Sequence, residues 1–583
     1  MIRILKKLSL LLSKQQKKRI IVIVVLMLIG AVLETLSVSL VVPLMTALMQ
    51  ESFMETNEIV AGVCDILGIE TTKGFVLLAI GAMIAVFIVK DVFLFFEYYI
   101  QTRFTCNNRV ATQRRLMEVY LNRPYEFFLN ASSGEIMRVI KADTAGTFNL
   151  LNTTMSFFTE GIVAFALIIA IIIVDPVMAL MIAALLLVVM IIVYKGVKPV
   201  LKREGQNYQY NNAVANQWIL QSIEGVKEMK VANKERFFVE EYSGYASKAV
   251  NSEKIQNVLL SAPRLIIEAV VVSGMLGYIG IMVYQGNSIS MLLPQISAFA
   301  VAAVRLLPSA NRMSTSLNSI TFLEPQLDKT IENLRVAKEY EKEDQARKAN
   351  RPVATENITL GKECGLYQIT FAYPNVETNV LEGADMVIPV GKSVGIVGAS
   401  GAGKTTAVDI LLGLLEVKGG TVCSDNTDIR CNYDAWLKHL AYIPQMIYML
   451  DGTIRENVAF GFHEDQIQDD QVWRALEEAQ MGEFVRSLPE GLDTSIGERG
   501  VRLSGGQRQR IGIARALYTD PELLIFDEAT SALDNETEAA IMESINSLHG
   551  KKTMIIIAHR LTTIEGCDMV YRVENGKIQK EKG

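Results

Sequence analysis

Long apolar runs fill the first half of the chain and are nearly absent from the second half. Six runs are long enough to cross the ~30 Å hydrocarbon core of a bilayer as helices: roughly 20–48, 75–97, 148–174, 176–198, 258–284 and 291–313. After about residue 360, short apolar strands alternate with amphipathic helices. We therefore predict a multidomain protein, in which an all-α, six-helix transmembrane domain over 20–324 precedes an α/β domain over 361–583.

Charged segments border the predicted transmembrane domain on both sides. Residues 1–19 hold seven Lys and Arg and no acid around a short apolar core, which predicts a basic amphipathic segment on the inner membrane surface. Residues 325–360 are charged and end near Pro352, and this composition predicts a linker before the α/β domain.

The connections between the apolar runs predict the orientation in the membrane. Segments 101–147 and 195–257 carry seven and ten basic residues, whereas 174–176 and 285–290 carry none. The positive-inside rule then places both termini and the α/β domain in the cytoplasm of a cell membrane, either inner or plasma. Because neither Gly nor Pro occurs between Met83 and Arg123, the second span is expected to continue as a long cytoplasmic extension.

Composition excludes several classes of protein. The 583 residues are 50% hydrophobic and 21% charged, and their formal net charge is −6. No domain-wide basic face follows from this balance, which argues against a nucleic-acid partner. The six Cys and four His are scattered without a CxxC pair, so neither a zinc module nor a disulfide framework is predicted.

A phosphate-binding loop is predicted where a buried-strand run, 394–397, meets an apolar helix, 407–415. The residues between them read GASGAGKTT, which is GxxxxGK[ST] in the strand–loop–helix context of a P-loop. Loop N–H groups and the helix N-terminus favour phosphate, Lys404 adds a cation for the β- and γ-phosphates, and Thr405 offers a hydroxyl to Mg²⁺. The candidate nucleotide-binding residues here are Gly398, Ala399, Ser400, Gly401, Ala402, Gly403, Lys404, Thr405 and Thr406.

Two acids close a second buried-strand run, 523–528, which reads LLIFDE. Asp527 suits Mg²⁺, either through its oxygen or through water, and Glu528 suits activation of the attacking water. Taken alone, these acids could be ordinary solvated groups at the end of a strand. With a P-loop upstream, we predict Glu528 as a catalytic residue and Asp527 as a metal and nucleotide ligand.

The pentapeptide LSGGQ, 503–507, opens the helix 508–518 and supports a family assignment. Two glycines at a helix start leave N–H groups available to an anion. From these residues the chain resembles the ATP-binding cassette (ABC) family, whose signature is this pentapeptide. The resemblance implies that the signature residues, Ser504, Gly505, Gly506 and Gln507, contact ATP held by a second cassette.

Further motifs follow in the order of the ABC family, and the resemblance implies their roles. Tyr373 in FAYP resembles the aromatic residue that stacks on adenine, and Gln445 in YIPQ resembles the Q-loop glutamine, a further Mg²⁺ ligand. The segment 494–500, TSIGERG, resembles the exporter-specific loop before the signature. Asp534 in SALD resembles the D-loop aspartate, and His559 in AHR resembles the catalytic switch histidine.

One cassette behind six spans resembles an exporter-type half-transporter. The resemblance implies composite ATP sites and therefore a second chain, and the intact motifs favour a homodimer over a heterodimer. It also implies that two cytoplasmic stretches, near 124–135 and 224–242, are coupling helices rather than simple helix turns.

Three arginines in the predicted spans bear on the substrate. Arg264, Arg305 and Arg312 are expected toward the cytoplasmic leaflet, where guanidinium groups suit bidentate capture of phosphate. Arg264 could instead pair with Glu268 one turn on, and the other two could snorkel or pair with acids such as Glu34 or Glu160. The sequence leaves both interpretations open.

The short motifs around these arginines resemble the lipid-linked oligosaccharide flippase branch of the family. This implies ATP-driven flipping of an amphiphilic, anionic polyprenyl pyrophosphate glycan from the inner to the outer leaflet. Export of a lipid, drug or peptide is the alternative within the family. An ATP-gated channel or sensor is an alternative of another class, and intact catalytic residues argue against it.

Overall fold

The structure is a computed structural model of the chain. It describes residues 1–39, 44, 71–174, 176–285, 289–350, 358–374, 376–528, 535–558 and 563–583. The chain forms two compact units. The first comprises Met1–Arg123 and Ala131–Lys342, and the second comprises Pro124–Asn130 and Glu343–Gly583.

Helices account for the regular structure described up to residue 350. In chain order they are α1 (Ile2–Leu11), α2 (Lys14–Ser39), α3 (Thr72–Leu121), α4 (Tyr125–Asn130), α5 (Ser133–Arg138), a π-helical turn (Val139–Asp143), α6 (Thr144–Val174), α7 (Pro176–Glu224), α8 (Val226–Val231), α9 (Glu235–Tyr284) and α10 (Ile289–Asn350). The short helices α4 and α8 lie within the two stretches predicted as coupling helices, near 124–135 and 224–242. Helix α5 begins in the first of these stretches.

Long apolar stretches of the described helices can cross a membrane by length and composition. Five such stretches occur, namely Lys14–Ser37, Lys73–Leu121, Ser133–Ile169, Ala183–Glu224 and Glu235–Tyr284. The sixth predicted span, 291–313, lies in α10, where the side chains of 289–305 fall outside the described part. Residues 51–70 and 286–288, which connect predicted spans, also lie outside it.

Several helices are much longer than a bilayer is thick. Helix α3 has 50 residues, which at 1.5 Å per residue gives about 75 Å. Helix α10 continues to Asn350, so the segment predicted as a linker from residue 325 is helical over most of its length. Its charged residues favour helix as readily as linker, because Glu, Lys, Gln and Ala have high helix propensity.

Buried side chains of several helices hold the first unit together. Ile4 and Leu8 of α1 pack with apolar residues of α2, α3, α6 and α10, and Lys7 of α1 binds Glu324 of α10 at 2.8 Å. The basic N-terminal segment therefore packs its apolar face on the helices of this unit. Gly205 lets α7 approach α10 closely, because a Cβ there would lie 2.4 Å from the Phe322 carbonyl oxygen.

The second unit contains two sheets. One has the strand order β2-β1-β4-β5, and the other has the order β10-β9-β3-β8-β7-β6. The strands are β1 (Glu363–Phe371), β2 (Leu381–Pro389), β3 (Ser393–Val397), β4 (Gly419–Ser424), β5 (Thr427–Asp428), β6 (Leu440–Ile443), β7 (Leu523–Asp527), β8 (Thr553–Ile557), β9 (Met569–Glu574) and β10 (Lys577–Lys582). The longer helices are α11 (Lys404–Leu411), α12 (Tyr433–His439), α13 (Ile454–Val458), α14 (Asp469–Glu478), α15 (Gly482–Ser487), α16 (Gly505–Leu517) and α17 (Asn535–Ser547).

Parallel pairing brings the chemical motifs to one edge of the larger sheet. Strands β3, β8, β7 and β6 pair in parallel, and their side chains fill a buried core. Because the carboxyl ends of parallel strands meet at the same edge, the P-loop, the acids after β7 and the glutamine after β6 converge there.

Candidate nucleotide site and membrane cavity

Glycines give the P-loop its shape. Gly398, Gly401 and Gly403 have φ angles of 153°, 77° and 102°, which residues with a side chain rarely adopt. A Cβ at Gly398 would lie 2.4 Å from the carbonyl oxygen of Val573, whereas a Cβ at Gly401 would meet no atom within 4 Å. Gly398 is therefore required by close packing, whereas Gly401 is required by its backbone conformation and not by its neighbours.

Lys404 begins α11 and is almost fully buried, at 5% exposure. Its ammonium donates hydrogen bonds of 3.0 Å to the carbonyl oxygens of Gly398 and Ala399. The Lys404 ammonium therefore lies against the backbone carbonyls of the P-loop. A phosphate in the loop would offer it a charged acceptor in place of two neutral carbonyls.

Tyr373 lies beside the P-loop helix. Its hydroxyl and the hydroxyl of Thr406 are 2.9 Å apart, and its ring meets Phe371 edge to face. These contacts fix the ring next to the loop, where the family resemblance places an adenine-stacking aromatic.

Asp527 ends β7 in a buried position, with 5% exposure. Its carboxylate accepts a hydrogen bond of 2.9 Å from the Tyr442 hydroxyl, and the Thr405 side chain lies next to it. Burial raises the pKa of Asp527 above its ordinary value, and the neighbouring Glu528 adds to the effect. A carboxylate beside a hydroxyl is the oxygen donor set that Mg²⁺ prefers, so these residues fit a metal that accompanies ATP.

Glu528 adopts a backbone conformation that is rare for its residue type. Its φ is 48°, and its N–H donates to the carbonyl oxygen of Ile557 on β8. Such conformations persist where the surrounding structure determines them, often at functional sites. The Gln445 amide donates a hydrogen bond of 2.9 Å to the Glu528 carboxylate, which joins the loop after β6 to the end of β7.

The signature residues cap helix α16. The Ser504 hydroxyl accepts from the N–H of Gln507, and the Gln507 side chain accepts from the N–H of Ser504 at 2.8 Å, which forms a capping box. Gly506 is buried, whereas Ser504 and Gly505 are exposed. Their exposure leaves this helix start open to a ligand outside its own unit.

Two predicted site residues lie outside the described part of the chain. They are Asp534 and His559. Strand β8 ends at Ile557 between β3 and β7, at the edge of the sheet where the P-loop and Asp527 lie.

Helix α4 belongs to the second unit although it follows the second span in the sequence. The Glu126 carboxylate accepts a hydrogen bond of 2.9 Å from the backbone N–H of Glu416, shortly after the P-loop helix. Burial raises the pKa of Tyr125, and the charge of Asp409 on α11 adds to this. Sequence patterns alone did not single out Glu126 or Asp409, because neither lies in a motif.

A cavity of about 320 Å³ lies in the first unit between α9 and α10. Its lining residues are Arg264, Glu268, Leu307, Pro308, Asn311 and Arg312. The Arg312 guanidinium binds both carboxylate oxygens of Glu160 on α6, through its Nε and through Nη2 at 3.1 Å. The structure therefore shows Arg312 in an ion pair with Glu160, one of the two interpretations that the sequence left open. No hydrogen bond or ion pair of Arg264 occurs among the described residues, and the side chain of Arg305 lies outside them.

Comparison with known families identifies both halves of the chain. The family model described as "ABC transporter transmembrane region" matches residues 20–300, and the one described as "ABC transporter" matches residues 381–531.

Individual proteins are similar over most of the chain. An "ATP-dependent lipid A-core flippase" from Shewanella frigidimarina is 30% identical over 570 residues, which cover 91% of this chain and 87% of that protein. "ABC transporter B family member 29, chloroplastic" from Arabidopsis thaliana is 28% identical over 81% of this chain and 73% of its own length. A solved structure, "Structure of a bacterial Atm1-family ABC exporter with ATP bound", matches with a TM-score of 0.76 over 97% of this chain and 95% of that one. At 21% identity, that match establishes the fold.

Proposed function

This chain belongs to the ABC transporter family, and we propose that it flips an anionic lipid-linked oligosaccharide from the inner to the outer leaflet of the cell membrane. The protein is a multi-span membrane exporter that binds ATP and couples its hydrolysis to transport. The observation that carries the substrate proposal is the cavity that Arg264 and Arg312 line. Membership of an exporter family also favours transport over an ATP-gated channel or sensor.

The ATP site is proposed to act through residues that the sheet edge brings together. Lys404 exchanges its two carbonyl partners for the β- and γ-phosphates. Glu528, oriented by Gln445 at 2.9 Å, accepts a proton from the attacking water. His559 is the proposed switch residue that contacts the γ-phosphate, and Tyr373 stacks on the adenine.

Mg²⁺ is the proposed partner of ATP at this site. Thr405, Asp527 and Gln445 would hold it, and it would neutralise charge on the phosphates. The proximity of the Thr405 hydroxyl to the Asp527 carboxylate supports this assignment, because two hard oxygen donors lie side by side.

The active form is proposed to be a homodimer. Ser504 and Gly505 are exposed at the start of α16, so they are available to ATP bound in a second cassette. Gly506, Gln507 and Asp534 would complete each composite site. Because the motif residues of this chain are intact, two copies would form two equivalent sites.

The substrate proposal assigns different parts to the two arginines of the cavity. Arg264 is the proposed direct ligand of the pyrophosphate, since a guanidinium can bind two phosphate oxygens at once. Arg312 is held by Glu160, and it would contribute to anion binding when that ion pair opens. Arg305, on the same helix as Arg312, is the proposed third cation.

Proteoliposomes test this proposal. A fluorescent polyprenyl pyrophosphate sugar, placed in the leaflet facing the cassettes, should become inaccessible to an external quencher when MgATP is added. Arg264→Ala should slow this movement by about tenfold or more, because one charge-assisted bond to phosphate contributes roughly 1.5–3 kcal/mol. Basal ATP hydrolysis should stay near the wild-type rate. Arg236→Ala is the matched control, because Arg236 lies on the same helix and binds Glu240 at the surface.

Two outcomes would redirect the substrate assignment. Wild-type movement in Arg264→Ala would remove the arginine cavity as the substrate site. Faster movement of a lipid A-type glycolipid would favour the second candidate, flipping of a glycolipid of that kind, which rests on the name of a relative similar over 91% of the chain.

Arg312 needs its own design, because its removal leaves Glu160 without its partner. Arg312→Ala alone should lower expression or thermal stability, and adding Glu160→Gln should restore it. Transport is then measured in the stabilised double variant.

A further inference from the structure

Tyr442 lies at the nucleotide edge of the sheet. It begins the segment YIPQ that contains Gln445, but no role was predicted for it from the sequence. It is on β6, opposite Ile525 in the parallel pairing with β7. Asp527 is two residues further along β7, so its side chain points to the same face as that of Ile525. From the neighbouring strand, the Tyr442 hydroxyl reaches the Asp527 carboxylate at 2.9 Å.

Two side-chain hydroxyls lie next to the Asp527 carboxylate. One belongs to Thr405 at the start of the P-loop helix, and the other, which donates a hydrogen bond of 2.9 Å, belongs to Tyr442. A hydroxyl that binds a metal through its oxygen keeps its hydrogen, so Thr405 can serve the metal and still face Asp527. The Tyr442 hydroxyl adds a donor from the neighbouring strand, and a phenol is protonated at neutral pH.

We propose that Tyr442 is a positioning residue, whose hydroxyl holds one oxygen of Asp527 so that the other oxygen faces the metal bound with ATP. This inference rests on the proposed role of Asp527 as a metal ligand. A carboxylate that is 5% exposed has little water to replace a lost donor. Without the hydroxyl it would turn toward Thr405, and the metal would lose a preorganised ligand.

Metal binding to the full-length protein tests this inference separately from turnover. Mn²⁺ is titrated in the presence of a non-hydrolysable ATP analogue and followed by electron paramagnetic resonance. Tyr442→Phe should weaken Mn²⁺ binding by about tenfold, the loss expected for one hydrogen bond to a charged group. Binding of the nucleotide without metal should be unchanged. The Mg²⁺ concentration for half-maximal ATP hydrolysis should rise by a similar factor.

Tyr571→Phe is the matched control. The Tyr571 hydroxyl is also part-buried in this unit, but its partners are the backbone N–H and carbonyl of Val387. Equal losses of Mn²⁺ affinity in the two variants would overturn the proposal, since they would reflect a general loosening of the unit. An equal loss of metal-free nucleotide binding in Tyr442→Phe would overturn it as well.

Asp527→Asn separates this inference from the function on which it rests. Weaker Mn²⁺ binding in Asp527→Asn, with unchanged binding in Tyr442→Phe, would overturn the positioning role alone. Unchanged binding in both variants would overturn the metal site itself.

Discussion

The side-chain amide of Gln445 donates a hydrogen bond of 2.9 Å to the carboxylate of Glu528. The two residues are far apart in the sequence and follow neighbouring parallel strands, β6 and β7. Gln445 therefore sets the orientation of the carboxylate that is proposed to activate water. A movement of the loop that carries Gln445 would also move this carboxylate. Such a movement would therefore change the rate of hydrolysis.

Gln445→Ala tests that relationship. The variant should bind ATP but hydrolyse it about tenfold more slowly, because the Glu528 carboxylate loses one orienting hydrogen bond. Gln471→Ala is a suitable control, since the Gln471 amide bonds Gln468 at the surface of the same unit. Turnover and nucleotide affinity are measured on the same purified samples. A wild-type turnover number in Gln445→Ala would contradict the orienting role.

Composite sites in a homodimer predict a specific pattern in mixed samples. Lys404→Ala and Ser504→Arg should each abolish hydrolysis when present in both chains. In a dimer with one chain of each kind, both lesions fall in one site and the other site is intact. Random pairing should therefore restore up to about a quarter of the wild-type rate. Recovery is measured after co-expression with two different tags, and its complete absence in isolated mixed dimers would contradict shared sites.

Glu126 links helix α4 to the segment after the P-loop helix, through its bond to the Glu416 N–H. Glu126→Ala should lower transport by several-fold more than basal hydrolysis, because the contact joins α4, in a stretch predicted as a coupling helix, to the segment after the P-loop helix. Glu118→Ala provides the comparison, since Glu118 binds Arg114 within its own helix. The measurement is the number of lipids moved per ATP hydrolysed. An unchanged number of lipids moved per ATP in Glu126→Ala would show that α4 does not couple hydrolysis to transport.

Asp568 predicts a pH dependence of stability. Hydrogen bonds from Ser393, together with Lys392, lower the pKa of Asp568 to about 2 from an ordinary value of 3.8. Because the folded pKa is depressed, this stabilisation is complete above pH 3.8 and is lost as the pH falls through about 2.

Asp568→Asn should therefore lower the free energy of unfolding by about 1–2 kcal/mol at neutral pH, after allowance for partial exposure. The deficit should shrink as the pH falls from 4 to 2. Thermal unfolding of the full-length protein across this range measures it. Glu490→Gln, at an exposed carboxylate, serves as the control. A pH-independent difference would show that the carboxylate charge is not the cause.

Local patterns account for what the sequence predicted well. The P-loop is specified by residues 398–406 and their neighbours, so its strand, loop and helix could be placed in advance. The capping box of Ser504 and Gln507 is equally local. The linker predicted from residue 325 is helical as far as Asn350, which its composition did not indicate because charged residues occur both in linkers and in long cytoplasmic helices.

Contacts between distant segments could not be predicted in the same way. The Tyr442 hydroxyl meets Asp527 only because β6 and β7 pair in a particular register. The Arg312–Glu160 ion pair depends on how α10 packs against α6, and sequence spacing left it as one of two interpretations. Such contacts follow from tertiary packing, which a motif does not encode.

Hydrolysis at the Glu528 site is proposed to drive the movement of lipid between leaflets. Glu528→Gln keeps the shape of the side chain but removes the base, so hydrolysis should fall by roughly 100-fold or more. ATP binding should persist, and the bound nucleotide should hold the dimer closed. The decisive measurement is the rate of quencher protection of the fluorescent lipid in proteoliposomes with MgATP, compared with the hydrolysis rate of the same vesicles. We expect both rates to collapse together in Glu528→Gln, whereas wild-type protection without hydrolysis would contradict the account.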